Sequence, residues 1–286
     1  MSTDAFNALA CPLDGGPLTQ AGASWRCPAG HSFDVARQGY LHLLPVQKKR
    51  SLDPGDSKAM VAARQRFLNA GYYQPVAEAV NAAVLKDTIS AAAPLACMDA
   101  GCGEGYYLRR LAATDLQLSL MGLDISKWAT LAAARQDKRP RWVVGSNANL
   151  PVLPGTLDVL LCLFGFPVYS EFARVLKTGG VLVQADAGPN HLRELREIIY
   201  PSLKPEKTPT EHPPEGFSIA GKETISYSLT LAGQEAIADL LAMTPHLYRA
   251  PAEGRARAEA LTTLTVTVEV TLQRFSHQAL AVTSTP

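Results

Sequence analysis

Met98-Asp99-Ala100-Gly101-Cys102-Gly103-Glu104-Gly105 follows an apolar strand-like run at 95–100 and opens a segment of helical character at 106–113. Glycines at 101, 103 and 105 let the backbone turn sharply and approach a ligand closely. Their spacing is G-x-G-x-G, not the G-x-G-x-x-G of dinucleotide-binding strands. Asp99 stands at the strand end just before the loop. A carboxylate there is badly placed for a pyrophosphate. It suits a ligand with a positively charged amino acid moiety.

Downstream, strand and helix alternate. Apolar runs at 118–123, 142–144, 157–163 and 181–185 read as further strands, with helical segments at 127–136 and 171–176 between them. Strand, crossover and strand repeated in this way build a doubly wound α/β sheet with helices on both faces. The second strand ends in Asp124, about 20 residues past the glycine loop, where an acidic side chain accepts hydrogen bonds from ribose hydroxyls. Asp124 as a helix N-cap is the bland alternative, and Ser126 fits that role better. Residues 147–150, Asn149 among them, fall near an adenine or form an ordinary turn. Further on, 201–214 reads as an exposed loop, 234–243 as a helix, and the alternating run 261–275 as a strand of a final hairpin.

Upstream, residues 1–44 are rich in Gly, Pro and Cys and predict small hairpins around a nucleus separate from a large core. Residues 45–93 predict a polar linker followed by helices, with Asp56-Ser57 as a helix start. The domain reading is therefore 1–44, 45–93, 94–275, and a frayed tail at 276–286. Five cysteines, odd in number and unevenly spaced, do not make a disulfide framework, and with no secretory signal they predict a cytoplasmic setting. Net charge is only +1, so a globally basic surface is excluded, yet Lys48, Lys49 and Arg50 form a local cluster. It is a solvated linker or a contact for nucleic acid.

The strand-loop-strand features are similar to those of class I methyltransferases over roughly residues 94–275. That resemblance implies a seven-stranded sheet with the last strand antiparallel, and S-adenosylmethionine lying across the strand ends. A closer resemblance runs almost end to end. Cys11-Pro12-Leu13, Cys27-Pro28-Ala29-Gly30-His31-Ser32-Phe33-Asp34, Gly39-Tyr40-Leu41-His42-Leu43-Leu44-Pro45, Asp53-Pro54-Gly55-Asp56-Ser57, Gly71-Tyr72-Tyr73-Gln74-Pro75, Gly188-Pro189-Asn190-His191-Leu192 and Met243-Thr244-Pro245 occur in one order. In this the chain resembles the bacterial 23S rRNA (guanine-N1)-methyltransferases of the RlmA type. The resemblance implies methylation of a guanine N1 in a 23S rRNA hairpin, a small N-terminal zinc-ribbon-like module that recognises RNA, and a homodimer. It places Tyr73, Gly103, Glu104 and His191 against S-adenosylmethionine, beside Asp99, Gly101, Asp124 and Asn149 from the residue reading. Tyr73 as a packing aromatic and His191 as a helix-lining residue are the alternatives. Phe164 and Phe166, after the fourth strand, could stack on the acceptor base, although each taken singly reads as core. No motif names the base that takes the N1 proton, and Asp186 at the end of the fifth strand is one candidate.

The chain departs from this family at the metal site. The pattern C-x-x-C reads Cys11-Pro12-Leu13-Asp14, followed by Cys27 and His31. A carboxylate oxygen can ligate zinc, so Cys11, Asp14, Cys27 and His31 remain a ligand set with one thiolate fewer. A metal-free knuckle packed around Trp25, Phe33 and Tyr40 is the other reading. Tyr248 stands where the family usually has tryptophan. Two other functions remain open at this point: a class I methyltransferase acting on a small molecule with the N-terminal region as a lid, and a non-catalytic RNA-binding relative.

Overall fold

The computed structural model describes residues 3–45, 51, 53–86, 94–114, 116–203 and 212–278. The Lys48, Lys49 and Arg50 cluster and most of the 276–286 tail lie outside the described residues. In the N-terminal region the strands are β1 (Thr3–Ala5), β2 (Thr19–Ala21), β3 (Ser24–Arg26), β4 (Ser32–Asp34) and β5 (Tyr40–His42). Helices α1 (Lys58–Asn69) and α2 (Gln74–Leu85) follow. Ser57 caps α1 by accepting from the Met60 amide, and Pro75 opens α2, where its missing N–H costs nothing.

The alternating region begins with β6 (Leu95–Ala100), α3 (Tyr106–Leu111), β7 (Leu118–Asp124) and α4 (Lys127–Gln136). It continues through β8 (Arg141–Val144), β9 (Leu157–Leu163), α5 (Tyr169–Val175), β10 (Leu176–Ala187) and α6 (Arg193–Ile199). It closes with β11 (Phe217–Ala232), α7 (Gln234–Ala242), α8 (His246–Arg249), α9 (Ala252–Glu259) and β12 (Thr263–His277). β6 is buried along its whole length and β9 nearly so, as expected of central parallel strands covered on both faces. β11, at the sheet edge, instead alternates half-buried and exposed residues through its second half.

The main sheet runs β11-β12-β10-β9-β6-β7-β8-β5. Strands β6 to β10 are parallel, and β12 is antiparallel to both of its neighbours. The strand order reverses between β6 and β9. The crevice beyond their carboxyl ends is where an open α/β sheet of this kind binds ligands.

The N-terminal region differs from expectation. β5 adds to the sheet in parallel beside β8, and β1 pairs the first half of β7, leaving the second half to β8. Phe6, Leu9, Leu18, Trp25, Leu41 and Leu43 are buried in one cluster with Met98, Met121, Val143 and Leu160 of the main sheet. The first 44 residues therefore share the large core instead of having a separate nucleus. Only β2, β3 and β4 form a small sheet of their own. Each of these strands has three residues, too few to bury enough apolar surface without a neighbour.

Candidate active site and metal centre

A cavity of about 890 Å³ lies across the carboxyl ends of β7, β6, β9 and β10. Gly101 to Glu104, Asp124 and the segment 145–148 line one half, and Phe164 to Phe166, Asp186 to Gly188, His191 and Arg196 the other. The glycine loop forms the floor between them. At Gly105 (φ 83°) a Cβ would sit 2.6 Å from the buried Trp142 ring, so only glycine lets α3 begin this close to β8.

Asp124 accepts the Gly103 amide at 2.9 Å and the Ser126 amide at 2.7 Å. It does not cap α4. Ser126 does, accepting from the Ala129 amide at 3.3 Å. Each Asp124 oxygen keeps a further lone pair toward the cavity for ribose hydroxyls. Asp124→Ala is expected to weaken binding of S-adenosylhomocysteine by about 1–3 kcal/mol, through the missing acceptor and the loosened loop. Calorimetry giving wild-type affinity would remove Asp124 from the cofactor site.

Asp99 is buried behind this floor, and neither carboxylate oxygen has a partner among the described residues. Burial pushes its carboxyl up to about 8, and the Asp124 charge adds to the rise. Glu104 is also buried. Its Oε2 accepts from Arg109 and Gln136, while Oε1 has no partner among the described residues. Orphaned buried carboxylate oxygens beside a cavity suit a ligand bearing positive charge.

Tyr73 and His191 meet on the opposite wall. The Glu269 backbone N–H donates to His191 Nδ1 at 3.2 Å, so the neutral ring carries its proton on Nε2. Burial lowers the imidazole to about 4, which keeps it neutral near pH 7. Nε2–H then donates to the Tyr73 oxygen 3.2 Å away. Burial raises the Tyr73 phenol, so it keeps its own proton and can offer it to an acceptor in the cavity. Both residues pack as well as point: Tyr73 is edge-on to Phe67 at 5.4 Å.

Asn149 does not line this cavity. Its amide donates to the Pro12 carbonyl at 3.2 Å and ties the N-terminal module to the loop after β8. Asn147 lines the cavity and donates to the Ala100 and Phe166 carbonyls. Phe164 is 39% exposed and Phe166 86%, so neither is a core residue. Several wall residues carry no clear signal in the sequence. The segment Asp53 to Asp56 straps the cavity rim: the Asp56 carbonyl accepts from Ser126 Oγ at 2.6 Å and Asp53 from the Trp128 indole at 2.9 Å. Gly55, at φ 83°, lies so close to Ile125 that a Cβ would approach it to 2.9 Å. Arg64 bonds Asp56 and the Met243 carbonyl, joining the strap to the loop after α7. The sequence signal for this strap is a D-P-G-D turn, which alone does not say what the turn covers.

Cys11, Asp14, Cys27 and His31 offer four ligand atoms within 4.8 Å of one another. His31 Nδ1 is 3.0 Å from Asp14 Oδ2, 3.3 Å from Cys27 Sγ and 3.5 Å from Cys11 Sγ. Tetrahedral zinc with bonds of about 2.0–2.3 Å holds its ligand atoms about 3.3–3.8 Å apart, so the donor set fits the metal. Two tight turns present it, with Gly15 N–H bonded to the Cys11 carbonyl and Gly30 N–H to that of Cys27. The Gly16 amide donates to Asp14 at 2.8 Å and holds its carboxyl down to about 2, so the ligand is ionised. The packing nucleus of the metal-free reading does not form as one unit. Trp25 and Phe33 belong to the cluster shared with Met98 and Met121 of the main sheet, whereas Tyr40 belongs to the other cluster, with Phe67 and Trp142.

Two family models match the chain: the RlmA N-terminal zinc ribbon over residues 9–52 and a methyltransferase domain over residues 97–180. The 23S rRNA (guanine(748)-N1)-methyltransferase of Streptomyces fradiae is 31% identical over 90% of this chain and 91% of its own length. A Micromonospora griseorubida protein named for 23S rRNA (guanine-N1)-methylation is 35% identical over 96% of this chain and 99% of its own. This chain belongs to the 23S rRNA (guanine-N1)-methyltransferase family. The malonyl-[acyl-carrier protein] O-methyltransferase of Laribacter hongkongensis is 30% identical over only 37% of this chain. Family membership thus rests on the whole length, and the methyltransferase sheet on a wider set of relatives. The family's zinc-ribbon model thus covers the cluster Cys11, Asp14, Cys27 and His31, in which an aspartate stands among the four residues able to hold a metal. Among the described residues no helix is long and apolar enough to cross a membrane.

Proposed function

We propose that this protein transfers a methyl group from S-adenosylmethionine to N1 of a guanine in a 23S rRNA hairpin. The observation that carries the reading is the match to the Streptomyces fradiae enzyme over 90% of this chain, alongside the zinc-ribbon and methyltransferase-domain matches. The relatives named for a malonyl-carrier protein match only 37% and 36% of this chain, which argues against transferring their substrate. The cavity is large enough for a cofactor and a base together. S-adenosylmethionine, bound and consumed as a co-substrate, supplies an electrophilic methyl. The chain's own task is to align the acceptor and accept a proton. Gly103, Glu104 and Asp124 hold the donor half with Asp99 buried behind them, and the Tyr73–His191 pair faces them from the opposite wall. The base must leave its stack to enter the other half, where Phe164 and Phe166 offer exposed rings.

An N1 methyl blocks the Watson–Crick edge. In a strain lacking this gene, a reverse-transcription stop at one 23S rRNA guanine is expected to vanish, and the wild-type gene is expected to restore it. An unchanged stop pattern would refute the assignment. Lys48, Lys49 and Arg50 follow the module in sequence and are assigned to the RNA backbone. Replacing all three with Ala is expected to weaken rRNA binding and to reduce the salt slope by about one for each phosphate no longer neutralised. An unaltered slope would leave them a solvated linker.

A further inference from the structure

The acceptor half of the cavity carries one carboxylate and one guanidinium with unspent hydrogen-bonding capacity. Asp186, at the end of β10, accepts at Oδ2 from Gln184 Nε2 at 2.7 Å. Gln184 is held in turn by the Tyr169 hydroxyl at 3.0 Å. This relay fixes the carboxylate and leaves Oδ1 without a partner among the described residues. Arg196, on α6, lines the same half and bonds the Pro189 carbonyl through Nη2. Its Nε is buried with no partner, and no carboxylate pairs with it among the described residues. Arg64, the other arginine on the wall, is by contrast ion-paired to Asp56. The only non-glycine residues with left-handed backbone among the described residues, Phe164 (φ 54°) and Leu192 (φ 52°), flank this half as well. Such conformations are costly and gather at functional sites.

We propose that Asp186 and Arg196 read the acceptor guanine and prepare its N1, the carboxylate taking the N1 proton and the guanidinium holding O6. This rests on the guanine-N1 reading above. The Watson–Crick edge of guanine presents an acceptor at O6 and donors at N1 and N2, which match a guanidinium and a carboxylate respectively. Adenine presents a donor at N6 and an acceptor at N1, so the same pair would face it donor to donor and acceptor to acceptor. The pair therefore rejects adenine as well as accepting guanine. As the N1 proton passes to Asp186, negative charge spreads onto O6, where Arg196 stabilises it. The electron pair left on N1 forms the bond to the methyl carbon, and the pair of the breaking C–S bond goes to sulfur. The products are N1-methylguanine, S-adenosylhomocysteine and a protonated Asp186 that returns its proton to solvent. Burial first, and the Arg196 charge after it, makes it harder for His191 and His246 to carry a proton.

The test uses the full chain with in vitro transcribed, unmodified 23S rRNA, single-turnover rates across pH, and calorimetry with S-adenosylhomocysteine. Wild-type protein must first yield N1-methylguanosine. If it methylates a different atom, the parent reading fails, and this proposal fails with it. With that product in hand, Asp186→Asn is expected to lower the rate by about 100-fold or more with cofactor affinity within twofold. Its residual rate should climb with pH toward the range where guanine N1 ionises unaided. Arg196→Met is expected to lower the rate while KM for rRNA stays put, and Arg196→Lys to recover part of it. A wild-type rate in either Asp186→Asn or Arg196→Met would overturn the proposal. So would a loss confined to cofactor affinity, or a pH profile parallel to wild type in Asp186→Asn. A rise confined to KM for rRNA with a flattened salt dependence would make Arg196 a phosphate-binding residue and overturn its role.

Discussion

Asp99→Asn is expected to stabilise the cofactor-free protein and at the same time to weaken its grip on S-adenosylmethionine. The native carboxyl is buried and unpartnered among the described residues, and its pKa stands at about 8 instead of 3.8. Between those two values the folded chain binds more protons than the unfolded chain, so stability falls as pH rises through that window. A rise of that size corresponds to on the order of 5 kcal/mol of destabilisation once the carboxyl is ionised. Asparagine has no charge to bury, so the variant should lose this slope. Its advantage over wild type should be nil at the acidic end of the window and largest at the alkaline end. On the proposed reading, the cationic amino acid moiety of the cofactor faces this carboxylate and supplies its counter-charge. Removing the carboxylate should therefore cost about 1–3 kcal/mol of binding. Urea midpoints measured across the window, paired with calorimetry, check both halves. Midpoints that run parallel in the two proteins would show that Asp99 is not held in this state.

The second large effect concerns the metal. Cys27→Ala is expected to release zinc from the purified protein and to expose the Trp25 side of the module. Structural zinc sites contribute about 10–16 kcal/mol of apparent binding energy in small modules, and much of that is folding energy. The β2-β3-β4 sheet has little else of its own, whereas β1 and β5 are anchored in the main sheet and should survive. Asp14→Cys restores a thiolate at the same position and should tighten the metal. Elemental analysis and protease protection of the N-terminal region provide the readout. Equimolar zinc retained by Cys27→Ala would contradict the ligand assignment. Wild-type protein free of zinc yet still protected would mean that packing alone holds the module.

The parallel sheet was legible because its central strands are unbroken apolar runs joined to a loop whose glycines and acidic strand ends have a specific chemistry. Gly101, Gly103, Glu104 and Asp124 line one cavity, and Asp99 is buried behind them. Tyr73 and His191 are 118 residues apart, and only the family resemblance pointed to their meeting. The integration of β1 and β5 was not legible, because three-residue strands show no periodicity and their pairing is settled by burial in a shared core. Asn149 was drawn toward the cofactor by its neighbours but faces Pro12 instead, since adjacent residues in the turn after β8 point to different sides. Arg196 carries no signal in the sequence, because the cavity it lines is assembled from β10, α6 and the loop after α7, which are distant along the chain.

On the proposed reading, one chain joins a cofactor cavity and a zinc-ribbon module to methylate guanine N1. Purified protein, unmodified 23S rRNA and S-adenosylmethionine labelled in its methyl group, followed by digestion to nucleosides and mass spectrometry, test it directly. The label is predicted to appear in N1-methylguanosine alone, at a single site in each rRNA. Label in any other nucleoside, or none in RNA from a protein that binds the cofactor, would contradict it.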